Sequence, residues 1–248
     1  METINIRYLD YNHNAICSSE AMLYNSSLGL FKRFNINTPM HIKENKKRKL
    51  LELEKITILK QYYNEIICLV NNYTDEYLAG YVIKPSNGYP LDETFLLPEE
   101  KIKILKRLKE IISLFEKNGV IYEDIHFDNI YYDEKSDKLE LIDIDNIEIN
   151  GYKKDLESFL TRKYYMYGGK NAKNARIFNF NLITYMYLTN NFSSYNIRDL
   201  IKSFNKDVSK IKNKKICKIF NKLLTAEINS ECDNIYLIDM IDEKILRK

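Results

Sequence analysis

Residues 122–145 of this chain, YEDIHFDNIYYDEKSDKLELIDID, say most about its fold. Two short runs of β-forming residues flank the polar turn DEKSDK at residues 133–138, which predicts a β-hairpin. Because a hairpin sets the residue before its first strand beside the residue after its second, Asn129 and Asp143 should converge, with Asp124 in the loop leading in. Two carboxylates and one carboxamide at one point can bind Mg²⁺, which prefers hard oxygen ligands.

The spacing of Asp124, Asn129 and Asp143 resembles the catalytic loop and metal-binding segment of the protein-kinase-like superfamily. The surrounding residues look closest to its atypical and small-molecule branches, such as choline and aminoglycoside kinases, and to short bacterial protein-kinase-like proteins. The resemblance implies Asp124 as the base or hydroxyl-orienting residue, Asn129 as a metal ligand and Asp143 as the main metal ligand. Surface acids in an ordinary loop and hairpin are the plainer alternative, since 29% of the residues are charged.

The fold class implied by this resemblance is α+β and bilobal. We expect an N-lobe at residues 1–84, with a small antiparallel sheet and one helix, then a Pro- and Gly-rich hinge at 85–90. A larger, mainly helical C-lobe would occupy residues 91–248, and this length suits one two-lobed domain. Helical periodicity predicts helices in the C-lobe at residues 98–117, 178–188, 197–224 and 234–246.

Lys32 is the candidate nucleotide-binding residue of the N-lobe. The strand GLFKRF at residues 29–34 places this lysine between apolar residues on one face, where an unpaired charge is costly. The position matches the strand lysine that binds the α- and β-phosphates in the kinase resemblance, and a snorkelling lysine on an edge strand is the alternative. That resemblance also requires an acid from the next helix to pair with the lysine. We expect Glu52, with Glu44 and Glu54 as open alternatives.

Several residues depart from the kinase pattern. The turn at residues 14–20, NAICSSE, lacks a G-x-G-x-x-G motif. Glu123 occupies the place of an arginine that reads a phosphate on the activation segment, and Asp145 replaces a glycine. Arg176 falls roughly where a buried aspartate usually braces the catalytic loop. Because an acid repels phosphate, we expect no activation by phosphorylation within residues 146–176.

The resemblance as a whole implies an ATP-dependent phosphotransferase that uses Mg²⁺ and moves the γ-phosphoryl group to a hydroxyl of a protein or small molecule. By analogy, backbone groups near Lys84 and Ser86 would bind the adenine. His126 stands where protein kinases usually carry a lysine, which favours a small-molecule or atypical acceptor. The alternative is a pseudokinase that acts as a nucleotide-binding or partner-binding module.

Composition argues against several other classes of protein. The net charge is +3, and the four cysteines and three histidines show no metal-ligand spacing, which favours free thiols over zinc. The N-terminus lacks the order of a signal peptide, and the apolar runs are far shorter than the ~20 residues that span a bilayer. The lysines at residues 206–222 fit a solvated helix face. We therefore expect a cytoplasmic protein with no membrane or nucleic-acid partner.

Overall fold

The computed structural model describes residues 1–12, 15–17, 21–157, 160–162, 172–190, 192 and 236–241. The chain forms two compact units. The first contains residues 1–88, 114–122 and 133–156, and the second contains residues 89–113, 123–132 and 157–248. Outside the described residues lie most of the turn at residues 14–20, the predicted helix at 197–224 and the lysines at 206–222.

A six-stranded sheet forms the main part of the first unit as described. Its strands are β1 (Glu2–Asn5), β2 (Ile16–Cys17), β3 (Ala21–Asn25), β4 (Leu30–Phe34), β5 (Ile66–Asn71) and β6 (Leu78–Ile83). In space their order is β1-β5-β6-β4-β3-β2, and every pair is antiparallel except β1 with β5. Strand β4 is therefore an inner strand, in which Lys32 lies opposite Leu23 of β3 and Tyr81 of β6.

Successive side chains of β4 point to opposite faces of the sheet, and both faces are buried at this strand. Phe31 joins an apolar cluster on one face with side chains such as Tyr24 and Val82. Lys32 and Phe34 point to the opposite face and are also buried. Lys32 is thus an inner-strand lysine on a covered face, which argues against the snorkelling alternative.

Helix α1 (Met40–Lys55) follows strand β4. Pro39 precedes its first residue, and the Pro39 carbonyl accepts hydrogen bonds from the N–H groups of Ile42 and Lys43. The buried residues of this helix recur at helical spacing and include three lysines: Lys43, Lys46, Lys49, Leu50 and Leu53. Lysines are rarely buried without a partner, so this stripe predicts acidic groups opposite it.

Three short strands of the first unit precede and follow the candidate metal-binding residue Asp143. They are β8 (Val120–Ile121), β10 (Lys138–Leu141) and β11 (Glu148–Ile149), of which β8 and β11 pair antiparallel. The Tyr122 hydroxyl donates a hydrogen bond of 2.8 Å to the Ile142 carbonyl. These bonds hold the chain on both sides of Asp143.

The described part of the second unit is mainly helical. Its elements are β7 (Tyr89–Pro90), β9 (Ile130–Asp133), helix α2 (Pro98–Lys117), which continues into the first unit, and helix α3 (Ala172–Thr189). Helix α2 has the predicted bounds and ends before Gly119, whose φ of +74° suits a helix-terminating glycine. Helix α3 contains the predicted helix at 178–188. Within the predicted helix at 234–246, the described residues form only a 3₁₀ turn, Leu237–Met240.

Across the described part of the chain, no helix combines the length and the apolar character needed to cross a bilayer.

Candidate functional site

The ammonium group of Lys32 lies between two carboxylates of the first unit. It donates a 2.7 Å hydrogen bond to Asp145 Oδ1 and also contacts the Asp143 carboxylate. Burial favours the neutral amine, but the two carboxylates outweigh it and hold the pKa of Lys32 well above its ordinary value. The structure therefore brings together two residues predicted from the sequence, Lys32 and Asp143, and keeps the lysine charged.

Asp143 has a left-handed backbone conformation, with φ 58° and ψ 49°. This conformation is uncommon for residues other than glycine and costs roughly 1 kcal/mol or more, although Asp tolerates it better than most residues. Its side chain keeps 39% of its surface exposed, against 9% for Lys32. Desolvation raises the pKa of Asp143 to about 6; the Lys32 charge opposes this shift and the Asp145 carboxylate adds to it. Asp143 is thus the solvent-facing acid of the cluster.

Asp145 is almost fully buried and is the centre of the cluster. Its Oδ1 accepts hydrogen bonds from Lys32 Nζ and, at 3.2 Å, from the Tyr81 hydroxyl, while its Oδ2 accepts one of 2.6 Å from Lys46 Nζ. Desolvation alone would raise the pKa of Asp145, but the two ammonium groups hold it well below its usual range. Asp145, which replaces a glycine of the kinase pattern, is therefore the buried partner of Lys32.

The expected pair between Lys32 and Glu52 is not formed in this structure. Glu52 bonds to Lys55 at 2.5 Å and to Asn150 at 3.1 Å, and Glu54 bonds to Lys60 and Tyr63. Glu44 is not a partner of Lys32 either. Glu52 lies six positions after Lys46, so their side chains point roughly 120° apart around the helix.

Lys46 is the site residue that sequence reasoning missed. The signal available was the spacing of Lys46, Lys49, Leu50 and Leu53, which places two lysines in an apolar helical stripe. Lys49 follows the same pattern, because its Nζ donates a 2.6 Å bond to Asp155 Oδ2. The inner face of α1 therefore presents lysines to acids of the segment 143–156.

The backbone groups of Lys84 and the side chain of Ser86, near which adenine was expected to bind, have partners within the first unit. The Lys84 N–H donates to the Glu65 carbonyl at 2.9 Å, and the Lys84 carbonyl accepts from the Asn64 side chain at 3.1 Å. The Ser86 hydroxyl donates a 2.6 Å bond to Glu140. The assignment of Lys84 and Ser86 to adenine binding stays a prediction.

Asp124 and Asn129 lie together in the second unit. The Asn129 Nδ2 group donates to the Asp124 carbonyl at 3.1 Å and to its carboxylate Oδ2 at 3.0 Å. Asn129 is buried at the end of the 3₁₀ turn Phe127–Asn129, and His126 Nε2 lies 3.5 Å from the same Asp124 oxygen. The carboxamide thus fixes the orientation of the carboxylate.

Glu123 and Arg176 form a buried ion pair beside this loop. Arg176 Nη1 lies 3.6 Å from Glu123 Oε1, and the two side chains keep only 11% and 5% of their surfaces exposed. Arginine cannot accept a hydrogen bond, but a glutamate at position 123 supplies the acceptor that a bracing contact needs. Helix α3 therefore braces the loop through a pair in which both charges are reversed from the kinase pattern.

Comparison with known proteins shows the fold. No protein-family model and no curated protein matches this chain. Among solved structures, the kinase PK-1 of Cydia pomonella granulovirus is similar with a TM-score of 0.62 at 16% sequence identity. The match covers 96% of this chain and 94% of that kinase. The predicted α+β, protein-kinase-like bilobal fold is confirmed, and the atypical or small-molecule branch stays a prediction.

Proposed function

We propose that this chain is an ATP-dependent phosphotransferase that moves the γ-phosphoryl group of ATP to a hydroxyl of a protein or small molecule. One observation carries the proposal. The buried Lys32 ammonium is held charged by Asp143 and Asp145, two acids that follow strand β10. A charged lysine next to a half-exposed carboxylate supplies one group for phosphate oxygens and one for a divalent cation.

The roles of the residues follow from their chemistry. Lys32 would bind the α- and β-phosphates, and Asp124 would orient the acceptor hydroxyl and take its proton. The Asp143 carboxylate and the Asn129 carboxamide are hard oxygen donors that suit Mg²⁺, which would neutralise charge on the phosphates. Catalysis would rest on positioning and charge stabilisation, so each of these groups would contribute strongly.

Turnover of ATP by the purified protein with Mg²⁺ tests the proposal. Asp124→Asn and Asp143→Asn keep the side-chain shape and remove one charge each, so we expect turnover to fall by about 100-fold or more. Asp239→Asn is the matched control, since Asp239 pairs with Lys109 on the surface at 2.5 Å and should leave turnover unchanged. Equal turnover in the unsubstituted protein and both site variants would reject the assignment.

A pseudokinase that binds nucleotide or a partner is the second candidate. A specific observation favours it: α1 presents Lys46, and not a glutamate, to the Lys32 cluster. A thermal-shift measurement with ATP, with and without Mg²⁺, separates the two functions in combination with the turnover assay. A metal-dependent shift with turnover supports the enzyme, because ligand binding to the folded state raises stability. A shift without turnover supports the pseudokinase.

A further inference from the structure

One carboxylate, that of Asp145, is shared between two lysines of different elements. Its Oδ1 lies 2.7 Å from Lys32 Nζ of strand β4, and its Oδ2 lies 2.6 Å from Lys46 Nζ of helix α1. The side chains of Lys32, Lys46 and Asp145 are 9%, 5% and 2% exposed. Burial on this scale makes each charge sensitive to the presence of the other two.

The charges of this cluster balance only when Lys46 is included. The ammonium groups of Lys32 and Lys46 and the carboxylates of Asp145 and Asp143 leave no net charge, and the Asp143 side chain is 39% exposed. Without the charge of Lys46, one ammonium group would remain with two carboxylates, an excess of one negative charge. An excess negative charge beside Lys32 repels an anion such as a phosphate group.

We propose that Lys46 is a positioning residue for phosphate binding by Lys32 and acts through Asp145. The inference rests on the proposed function, since it names a further residue of the same nucleotide site. Lys46 holds one oxygen of Asp145 and offsets the negative charge of that carboxylate. Lys32 then keeps its place next to the other oxygen with its charge available to the phosphates of a nucleotide.

The chain contains a matched control three residues further along the same helix. Lys49 is also buried and pairs with an acid of the same segment, at 2.6 Å from Asp155 Oδ2. Asn45 bonds to the same Asp155 carboxylate at 2.6 Å, and Lys32 is not among its partners. Replacing Lys49 therefore removes an equivalent buried pair and leaves the hydrogen bonds to Asp145 in place, although the charge of Lys49 also acts through space on Lys46 and Asp145.

The test measures affinity for ATP and for the uncharged nucleoside adenosine by calorimetric titration. Lys46→Gln keeps a hydrogen-bond donor for Asp145 and removes the charge, so ATP should bind at least about tenfold more weakly, because one unit charge is lost at an effective dielectric constant near 20. Adenosine affinity should be unchanged. Lys46→Arg should bind ATP nearly as the unsubstituted protein does. Lys49→Gln should lower ATP affinity much less than Lys46→Gln and leave adenosine affinity unchanged.

Three outcomes with folded variants would overturn the inference. ATP affinity that is equal in Lys46→Gln and the unsubstituted protein would refute it, as would an equal loss for ATP and adenosine. The same loss in Lys49→Gln would show general anchoring of the helix. If circular dichroism shows that Lys46→Gln is unfolded, Lys46→Met is measured against Lys46→Arg with the same expectations. An unsubstituted protein that does not bind ATP would overturn the proposed function together with this inference.

Discussion

Replacing Asp145 with asparagine should lower the free energy of unfolding more than any other one-atom change in the first unit's charged cluster. The substitution preserves the shape of the side chain and removes the charge that Lys32 and Lys46 share at 2.7 Å and 2.6 Å. The carboxamide oxygen can still accept one hydrogen bond, but its NH₂ group repels the second ammonium.

The expected loss of unfolding free energy follows from the burial of the two lysines and from the ion-pair partners that each lysine retains. Removing one partner of a buried ion pair costs about 3–5 kcal/mol, because the charge left behind has lost its hydration. Lys32 retains its contact with Asp143, so the lower end, about 3 kcal/mol, is expected. That loss is a large share of the free energy of unfolding, which is about 5–15 kcal/mol for a typical domain.

Urea unfolding followed by far-UV circular dichroism and tyrosine fluorescence measures this loss, since the chain has 20 tyrosines and no tryptophan. Two control substitutions should give smaller losses of unfolding free energy for comparison. Tyr81→Phe removes only the 3.2 Å hydrogen bond that the uncharged Tyr81 hydroxyl donates to the Asp145 carboxylate and should cost about 1.5 kcal/mol. Asp239→Asn removes a surface pair with Lys109 and should cost less than about 1 kcal/mol.

The pH dependence of the free energy of unfolding tests independently whether the ionised Asp145 carboxylate stabilises the folded state. Desolvation raises the pKa of Asp145, but Lys32 and Lys46 outweigh it, so the folded-state pKa lies well below the usual range. The ionised carboxylate therefore stabilises the folded state above the unfolded pKa of about 3.9, and this stabilisation is lost as the pH falls through the lower folded value.

The stability difference between the unsubstituted protein and Asp145→Asn should persist from about pH 5 to about pH 8 and should be lost only below about pH 4. Within this window it should decrease modestly as the pH rises through about 6, because Asp145 raises the pKa of Asp143 and the substitution removes that effect. A loss no larger than that of Tyr81→Phe would refute the reasoning. A difference that disappears near neutral pH would refute it as well.

Three further predictions concern other parts of the chain. Glu123→Gln and Arg176→Gln should each cost about 3 kcal/mol in urea unfolding and the double variant less than the sum, whereas additive losses would contradict the buried pair. Gly80→Ala would place a Cβ 2.1 Å from the Lys32 carbonyl oxygen, so it should lower stability by about 3 kcal/mol or prevent folding, and an unchanged melting temperature would contradict this. Because Glu123 would repel a phosphate, a phosphomimetic scan of residues 146–176 should leave ATP turnover unchanged, and a strong increase would refute that expectation.

Local patterns in the sequence predicted the elements that depend on nearby residues. Helix α2 has apolar residues at helical spacing and a glycine after its end, and it forms at the predicted residues 98–117. The loop from Asp124 to Asn129 is also local, and its two end residues bond to each other over five positions. Contacts between residues that are close in the sequence can be predicted from residue spacing alone.

The partner of Lys32 could not be found in this way. Helix α1 carries glutamates at positions 44, 52 and 54 and lysines at 43, 46 and 49, so its composition permits an acid or a base on the inner face. The bond from Lys46 to Asp145 joins residues 99 positions apart, and the bond from Lys32 to Asp145 joins residues 113 apart. The spacing of the buried residues indicates the inner face of the helix, but no local pattern identifies the distant acid that this face meets.

The sequence by itself therefore predicted the fold class, through its resemblance to the kinase-like superfamily, and it predicted the acids that follow strand β10 from residue spacing within one segment. That Lys32 lies on an inner strand came from the sheet order. Only the tertiary structure decided that Asp145 is the buried partner of Lys32 and that Lys46, not Glu52, faces it. It also decided that Glu123 and Arg176 pair. The physical reason is that buried charges require partners, and packing between distant segments selects which partner each charge receives.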